Sequence, residues 1–189
     1  MYDRKQVKLK AKATLSANFG LIFGTLLVGG LIIGASGFTF IGTLILAGPI
    51  AAGLAVVQLS ALRGQQAEFG DMFKGFNNFG TNCGAGVLVS IFIWLWSLLF
   101  FIPGIVKTYS YSMTFYILAD HPEMKANDAI TASRNMMKGH KFDLFVLDLS
   151  FFWWLLLVIV TFGIALIYVD PYMELSHASF YESIKDGNA

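Results

Sequence analysis

The sequence predicts an all-α protein that crosses a membrane as a bundle of about six helices. Of the 189 residues, 56% are hydrophobic and only 13% are charged, whereas about a quarter of the residues of a soluble domain are charged. No Asp, Glu, Lys, Arg or His lies between Lys12 and Arg63, and about 20 apolar residues are enough for one crossing. Residues 1–189 therefore read as a single integral membrane domain.

The first element is a basic segment at residues 1–16. Val7, Ala11 and Leu15 recur at helical spacing, so the segment can form an amphipathic helix on an anionic inner leaflet. A solvated tail that only fixes the orientation of the protein is an equal alternative, and both predict a cytoplasmic N-terminus. The cations expected to contact the leaflet here are Arg4, Lys5, Lys8 and Lys12.

Six apolar segments are then expected to cross the membrane, at residues 17–36, 38–62, 83–102, 104–119, 142–167 and, more weakly, 168–184. The polar connections at 63–82 and 120–141 and both termini would then face the cytoplasm. Every Lys and Arg except Lys107 falls in these cytoplasmic regions, and the outer turns near "GASG", "FIPG" and "YVDP" carry none. This asymmetry follows the positive-inside rule and predicts the orientation.

Two of the segments leave alternatives open. Pro49 lies in the middle of the second segment, which is either one kinked span or a short re-entrant piece followed by a span. The last segment contains Asp170, Glu174 and Glu182, so it either crosses the membrane or lies along the interface.

A degenerate repeat organises the chain. The triplets "NFG" at Asn18, "NFG" at Asn78 and "KFD" at Lys141 each open an apolar run that later meets one proline. Short repeats of this kind decide architecture. We therefore predict three helical hairpins, approximately at residues 17–77, 78–140 and 141–185, joined by amphipathic cytoplasmic connectors.

The connector after the second hairpin is predicted to be an interfacial helix. Pro122 suits a first helical turn, Asn127 or Asp128 can cap the helix, and Gly139 can end it. The face expected to be apolar consists of Ala126, Ile130, Ser133 and Met137. The cations expected to contact the inner leaflet or a partner are Arg134, Lys138 and Lys141.

Ionisable residues inside the apolar runs suggest a possible functional site, because charge within a membrane is costly. They are Lys107, Asp148, Asp170 and Glu174. An ion pair of Lys107 with Asp170 or Glu174 would link two hairpins, and we favour a packing role over transport for it. Asp148 either faces a hydrated cavity lined by the hydroxyls of "TYSYSMTFY", or reaches the interface or a neighbouring serine.

Motifs for catalysis or metal binding are missing from the sequence. It contains no HExxH, CxxC, GxSxG or Walker pattern, and Glu174 with His177 is a close pair with ligand chemistry on one helical face. We expect no enzyme activity, no cofactor, no metal and no nucleic-acid partner. The GxxxG spacings at Gly20 and Gly30 favour close helix packing, within the chain by preference and between copies as the less favoured alternative.

Three stretches resemble a known family. They are "KLKAKATLSANFG", "IPGIVKTYSYSMTFYILADHPEMKANDAITASRNMMKGHKFDLFVLDLSF" and "YVDPYMELSHASFYE". Together they resemble an uncharacterised bacterial family of polytopic integral membrane proteins, domain of unknown function 975. The resemblance implies a multi-pass plasma-membrane protein with cytoplasmic termini, and it carries no site residues.

Two functions fit these observations. The first is a non-enzymatic membrane scaffold or accessory protein whose cytoplasmic face binds a protein partner or anionic lipid of the inner leaflet. The second is a small transporter or permease component that uses its buried charged residues.

Overall fold

A computed structural model describes residues 3–37, 40–99 and 101–185, and these residues form helices and turns without any strand. The predicted all-α class is confirmed. The helices are α1 Arg4–Ser36, α2 Phe40–Leu62, a 3₁₀ helix Phe69–Phe76, α3 Phe79–Leu99, α4 Phe101–Tyr111, α5 Thr114–Asp120, α6 Ala126–Met136, α7 Lys141–Leu149, α8 Phe152–Val160 and α9 Leu166–Lys185.

The basic segment and the first apolar segment form one helix, α1. Asn18 has non-helical dihedral angles, φ −126° and ψ 26°, so a kink at the first "NFG" triplet separates the two parts. Val7, Ala11 and Leu15 are buried on one face of this helix, as their spacing predicts. That face belongs to the protein core, because α1 packs along α9, and it does not lie against a leaflet.

Helix α2 is continuous through Pro49, so no re-entrant break occurs there. The 3₁₀ helix lies directly against its middle. A Cβ atom at Gly53 would overlap the Met72 carbonyl, and one at Gly75 would overlap the Pro49 carbonyl. The first connector is therefore packed against α2 by backbone contact at glycines, while Phe69 and Phe73 remain exposed.

The fourth and fifth apolar segments are each built from two helices. Between α4 and α5, the Ser112 hydroxyl donates to the Tyr109 carbonyl over 2.9 Å, a local bond of the kind that competes with helical pairing. Between α7 and α8, the Ser150 hydroxyl donates in the same way to the Leu147 carbonyl. The prediction of one helical segment each at 104–119 and 142–167 is therefore incomplete, because each segment contains a break between two helices.

The outer turn predicted near "YVDP" is wrong. The chain turns at residues 161–165, where Gly163 has φ 91° and the Thr161 hydroxyl accepts from the Ala165 amide over 3.1 Å. Glycine adopts a positive φ at little cost, so Gly163 allows the chain to turn at this position. Asp170 and Pro171 lie inside α9.

The second connector contains α6. Ile130, Ser133 and Met137 are buried, which confirms the predicted face. The helix begins only at Ala126, after the backbone of Lys125, and no side chain caps it. The predicted start at Pro122 and the caps by Asn127 or Asp128 are therefore wrong.

The surface of the described residues divides into two parts. Large exposed apolar side chains are concentrated on α8, α3 and α7, while α2 and α9 contribute most of the buried core. Among the residues that the structure describes, four helical segments are long and apolar enough to cross a membrane, namely Arg4–Ser36, Gly42–Leu62, Phe79–Leu98 and Lys141–Val160. Neither α4, α5 nor α9 is among them.

Candidate functional site

Three helices bring a tyrosine, an aspartate and a histidine together. The Tyr109 hydroxyl of α4 donates to Asp148 Oδ2 of α7 over 3.0 Å. Asp148 Oδ1 lies 2.6 Å from Nε2 of His177, on α9. The Asp148 and His177 side chains are each 26% exposed. Asp148 thus faces one of the hydroxyls of "TYSYSMTFY", as one of the two sequence alternatives requires.

A second set of hydrogen bonds reaches the same helix α9. The Tyr116 hydroxyl donates to Gln58 Oε1 over 3.0 Å, and Gln58 Nε2 donates to Glu174 Oε2 over 3.3 Å. Gln58 is only 2% exposed. Because an unpaired buried amide is costly, these two bonds explain how a glutamine is held inside α2.

The two sets meet at one cavity. Glu174 and His177 lie one turn apart on α9, and with Gln58, Ser112 and Tyr116 they line a cavity of about 260 Å³. The remaining wall is apolar and comes from α1, α2 and α5: Leu26, Ala51, Leu54, Ala55 and Phe115. A mostly apolar cavity with a few converging polar groups is the usual form of a small-molecule site.

Lys107 lies apart from this cavity. Its ammonium nitrogen is 4.4 Å from the ring centroid of Trp96, a cation–π contact between α4 and α3. Across the described residues, no ion pair joins Lys107 to Asp170 or Glu174. The predicted link between two hairpins is therefore not formed, because Lys107 is turned toward Trp96.

Asp170 and Glu174 face different spaces although both are on α9. Asp170 lines an apolar groove between α1 and α9, beside Leu27, Leu31 and Ile167. Glu174 lines the cavity described above. Of the four predicted ionisable residues, the structure thus brings Asp148 and Glu174 to one polar region and leaves Lys107 and Asp170 outside it.

Sequence reasoning missed two of the cavity groups. Gln58 lies in an apolar run, where an uncharged amide gives little signal. His177 was recognised only as a neighbour of Glu174, whereas its partner Asp148 is 29 residues earlier. Nothing in the local sequence pairs residues so far apart.

A second polar cluster, the Arg63 cluster, joins the ends of α2, α5 and α9. Arg63 Nη2 lies 2.7 Å from Asp120 Oδ2 and 2.6 Å from Glu182 Oε1. The Tyr181 hydroxyl donates to Asp120 over 2.9 Å, and Lys185 Nζ lies 3.0 Å from Glu182. Except for the last, these contacts join residues far apart in the sequence. No local sequence pattern predicts them.

The Arg63 cluster also shifts the pKa of Asp120. Burial acts to raise this pKa, but the hydrogen bonds from Arg63 and Tyr181 and the charges of Arg63 and Lys185 outweigh it, so the pKa is lowered from its ordinary value. The carboxylate is thereby held in its charged form between two cations.

The predicted leaflet-contacting cations differ in their exposure and in their contacts. Lys8 is used inside the protein, because its ammonium nitrogen lies 3.0 Å from the Ser150 hydroxyl and 4.1 Å from the Phe151 ring centroid. This corrects its predicted role. Lys141 is half-buried, and the exposed members are Arg4, Lys5, Lys12, Arg134 and Lys138.

The helices define the chain as an all-α protein with several segments that could cross a membrane. Residues 98–188, just under half of the chain, match the model of a family described as "Protein of unknown function (DUF975)". This is the family that the sequence resembles, so the resemblance is confirmed over these residues. The match includes Tyr109, Tyr116, Asp148, Glu174 and His177 but not Gln58. No curated protein and no solved structure matches the chain.

Proposed function

We propose that this protein is a non-enzymatic scaffold or accessory protein of the bacterial plasma membrane. Its cytoplasmic face would hold anionic lipid of the inner leaflet or a protein partner. The supporting observation is a set of exposed cations that form no ion pair with any described residue: Arg4, Lys5, Lys12, Arg134 and Lys138. Cations near an anionic leaflet each contribute about 1 kcal/mol to binding.

Helix α7 supplies an apolar contact beside these cations. Phe142, Phe145 and Leu149 are exposed on one side of the helix, at 70%, 41% and 56%, and Lys141 begins the helix. A basic residue next to exposed aromatic and aliphatic side chains is typical of the end of a helix that lies at the lipid interface. This arrangement favours lipid over a soluble ligand.

The proposed orientation has six crossings in three hairpins, with both termini in the cytoplasm. The hairpins would be α1 with α2, α3 with α4 and α5, and α7 and α8 with α9. The Arg63 cluster supports it, because it holds the ends of α2, α5 and α9 at one level. A reporter enzyme fused after Ala189 should be active only inside the cell, and activity only outside would refute the even number of crossings.

Lipid retention tests the role of the cationic face. The test variant is Arg134→Ala with Lys138→Ala, and the matched control is Arg134→Lys with Lys138→Arg, which changes the same two exposed side chains but keeps both charges. Each protein is purified in mild detergent, and mass spectrometry measures the bound phosphatidylglycerol and any protein that co-purifies. We expect the test variant to lose at least roughly half of its bound anionic lipid or its partner.

The control variant should keep both lipid and partner. Equal retention by the wild type, the test variant and the control would contradict the proposal. A uniform loss in both variants would contradict it too, because the effect would then not depend on the positive charge at these two positions.

A transport function is the second candidate, and the Asp148 contacts favour it. Carboxylates that pair with histidine within apolar helices often mark proton or ion pathways, and helices broken within an apolar run are common in transporters. Proteoliposomes loaded with a pH-sensitive dye should show a proton flux that Asp148→Asn removes. If the wild-type protein produces no flux above that of empty liposomes, this candidate is eliminated.

A further inference from the structure

Glu174 is a carboxylate without a matching cation. One oxygen, Oε2, accepts the Gln58 amide over a long 3.3 Å bond, and within the described ranges no donor reaches Oε1 and no ion pair includes Glu174. The residue is half-buried. A carboxylate withdrawn from water is costly unless another group balances its charge.

The neighbouring polar groups are already engaged. Both ends of the Gln58 amide are used, one toward Tyr116 and one toward Glu174. His177 directs Nε2 to Asp148, and the Ser112 hydroxyl donates to the Tyr109 carbonyl of α4. Glu174 is thus the cavity group with the most unused capacity, and what it can accept is a positively charged donor.

The rest of the cavity is suited to an apolar substituent. Leu26, Leu54 and Ala55 form an aliphatic wall, and the rings of Phe115 and Tyr116 stand on the α5 side. Aromatic rings attract cations through their faces, while aliphatic walls exclude water. A volume of about 260 Å³ limits the ligand to a small one.

We propose that this cavity binds the ammonium group of a small organic amine, with Glu174 as its counter-charge and the apolar wall around its alkyl part. The ammonium could come from a free amine or from the headgroup of an aminophospholipid. Amine binding in this cavity requires neither the scaffold nor the transport function, so its test is independent of theirs.

A divalent metal fits the cavity less well than an amine. No group of three or more His, Cys, Asp or Glu side chains that could hold a metal occurs among the described residues. Calcium takes about 6–8 oxygen ligands, whereas an ammonium group can be bound by one carboxylate and ring faces. The donor set therefore favours the organic cation.

Binding of butylammonium to the full-length protein in phosphatidylglycerol nanodiscs tests the proposal by isothermal titration calorimetry. We expect saturable binding that weakens about tenfold or more in Glu174→Gln, since the charge is removed with little change of shape. The matched control is Asp170→Asn, one turn earlier on α9 but in a different groove, and it should bind like the wild type.

A second variant tests the cavity independently if Glu174→Gln does not fold. Ala51→Phe fills the cavity from α2 without changing any charge, and it should also weaken butylammonium binding. Nanodiscs that contain phosphatidylethanolamine identify the source of the amine: a lower apparent affinity indicates that the lipid headgroup reaches the site, and an unchanged affinity indicates a free amine. Absence of saturable binding to the wild type, or equal binding by Glu174→Gln, would overturn the proposal.

Discussion

Helices α8 and α9 are neighbours in the chain, and their burial is opposite to their composition. Helix α8 consists of nine apolar residues, "FWWLLLVIV", and none of them is buried. Helix α9 carries Asp170, Glu174, His177 and Glu182, yet most of its residues from Val169 onward are buried. In a water-soluble protein the apolar helix would be inside. The comparison indicates that the side chains of α8 are suited to contact with lipid and those of α9 to contact with other helices of the protein.

The physical reason is the change of solvent. Where lipid surrounds a helix, apolar side chains gain little by leaving it, so helices associate through close packing and polar contacts. Helix α9 has small residues for close packing, such as Ser176, Ala178 and Ser179, and polar residues that pair with other helices. Hydropathy alone therefore does not separate the helices that face lipid from those of the core, since the apolar α2 is mostly buried.

Truncation of matched leucines should give the largest difference between the two helices. Leu175 of α9 is fully buried, whereas Leu157 of α8 is 45% exposed. Leu175→Ala should lower the free energy of unfolding by about 2–5 kcal/mol, which corresponds to a fall of roughly 5–15 °C in Tm. Leu157→Ala should change Tm by less than about 3 °C. Thermal unfolding in detergent measures both, and equal losses would remove the distinction.

A similar contrast should hold for glycines. At Gly53 a Cβ atom would overlap the Met72 carbonyl, whereas at Gly30 it would meet nothing within 4 Å. Gly53→Ala should therefore destabilise the protein by about 1–3 kcal/mol through overpacking, and Gly30→Ala should be neutral or slightly stabilising. A Gly53→Ala protein with unchanged Tm would show that the 3₁₀ helix does not rest on α2.

The Arg63 cluster should contribute less, because its side chains retain 14–27% exposure. Arg63→Ala leaves Asp120 and Glu182 close together without the guanidinium, and we expect a loss of about 1–2 kcal/mol. Lys74→Ala is the control, since the Lys74 side chain is 57% exposed in its pair with Asp71, and exposed pairs contribute little. If both variants unfold at the same temperature, the cluster does not tie α9 to α2.

The smallest expected effect is a pH dependence of stability. The pKa of Asp120 is lowered in the folded protein, so its contribution is complete above the unfolded value of about 3.9 and is lost as pH falls through the folded pKa. Asp120→Asn should therefore show a smaller drop in Tm between about pH 6 and pH 3 than the wild type. The exposed control Asp128→Asn should keep the wild-type drop, and a full drop in Asp120→Asn would contradict the assignment.

The sequence predicts the helical class, the family and much of the helix layout. Apolar runs and the residues that interrupt them are local signals, and the triplets at Asn18, Asn78 and Lys141 each coincide with a kink or with a helix beginning at or next to them. The burial of Val7, Ala11 and Leu15 also follows from spacing alone. Such features depend on neighbours in the chain, which a single sequence displays.

The polar site could be predicted only in part. Asp148 was identified because a charge inside an apolar run is costly, but its partner His177 depends on how α7 and α9 pack. The break between α4 and α5 and the turn at Gly163 depend on hydrogen bonds and on a dihedral angle that hydropathy does not report. Contacts between distant helices are the part that sequence reasoning could not supply.

The most direct test of the comparison uses a spin label at one exposed position on each helix. Ile159 of α8 is 71% exposed, and Ser183 of α9 is also exposed. In nanodiscs, oxygen concentrates in lipid and a water-soluble nickel chelate stays outside it. We predict that the label at 159 relaxes with oxygen and not with the chelate, and that the label at 183 does the reverse. Equal access of the chelate to both positions would contradict the account, because α8 would then lie in water.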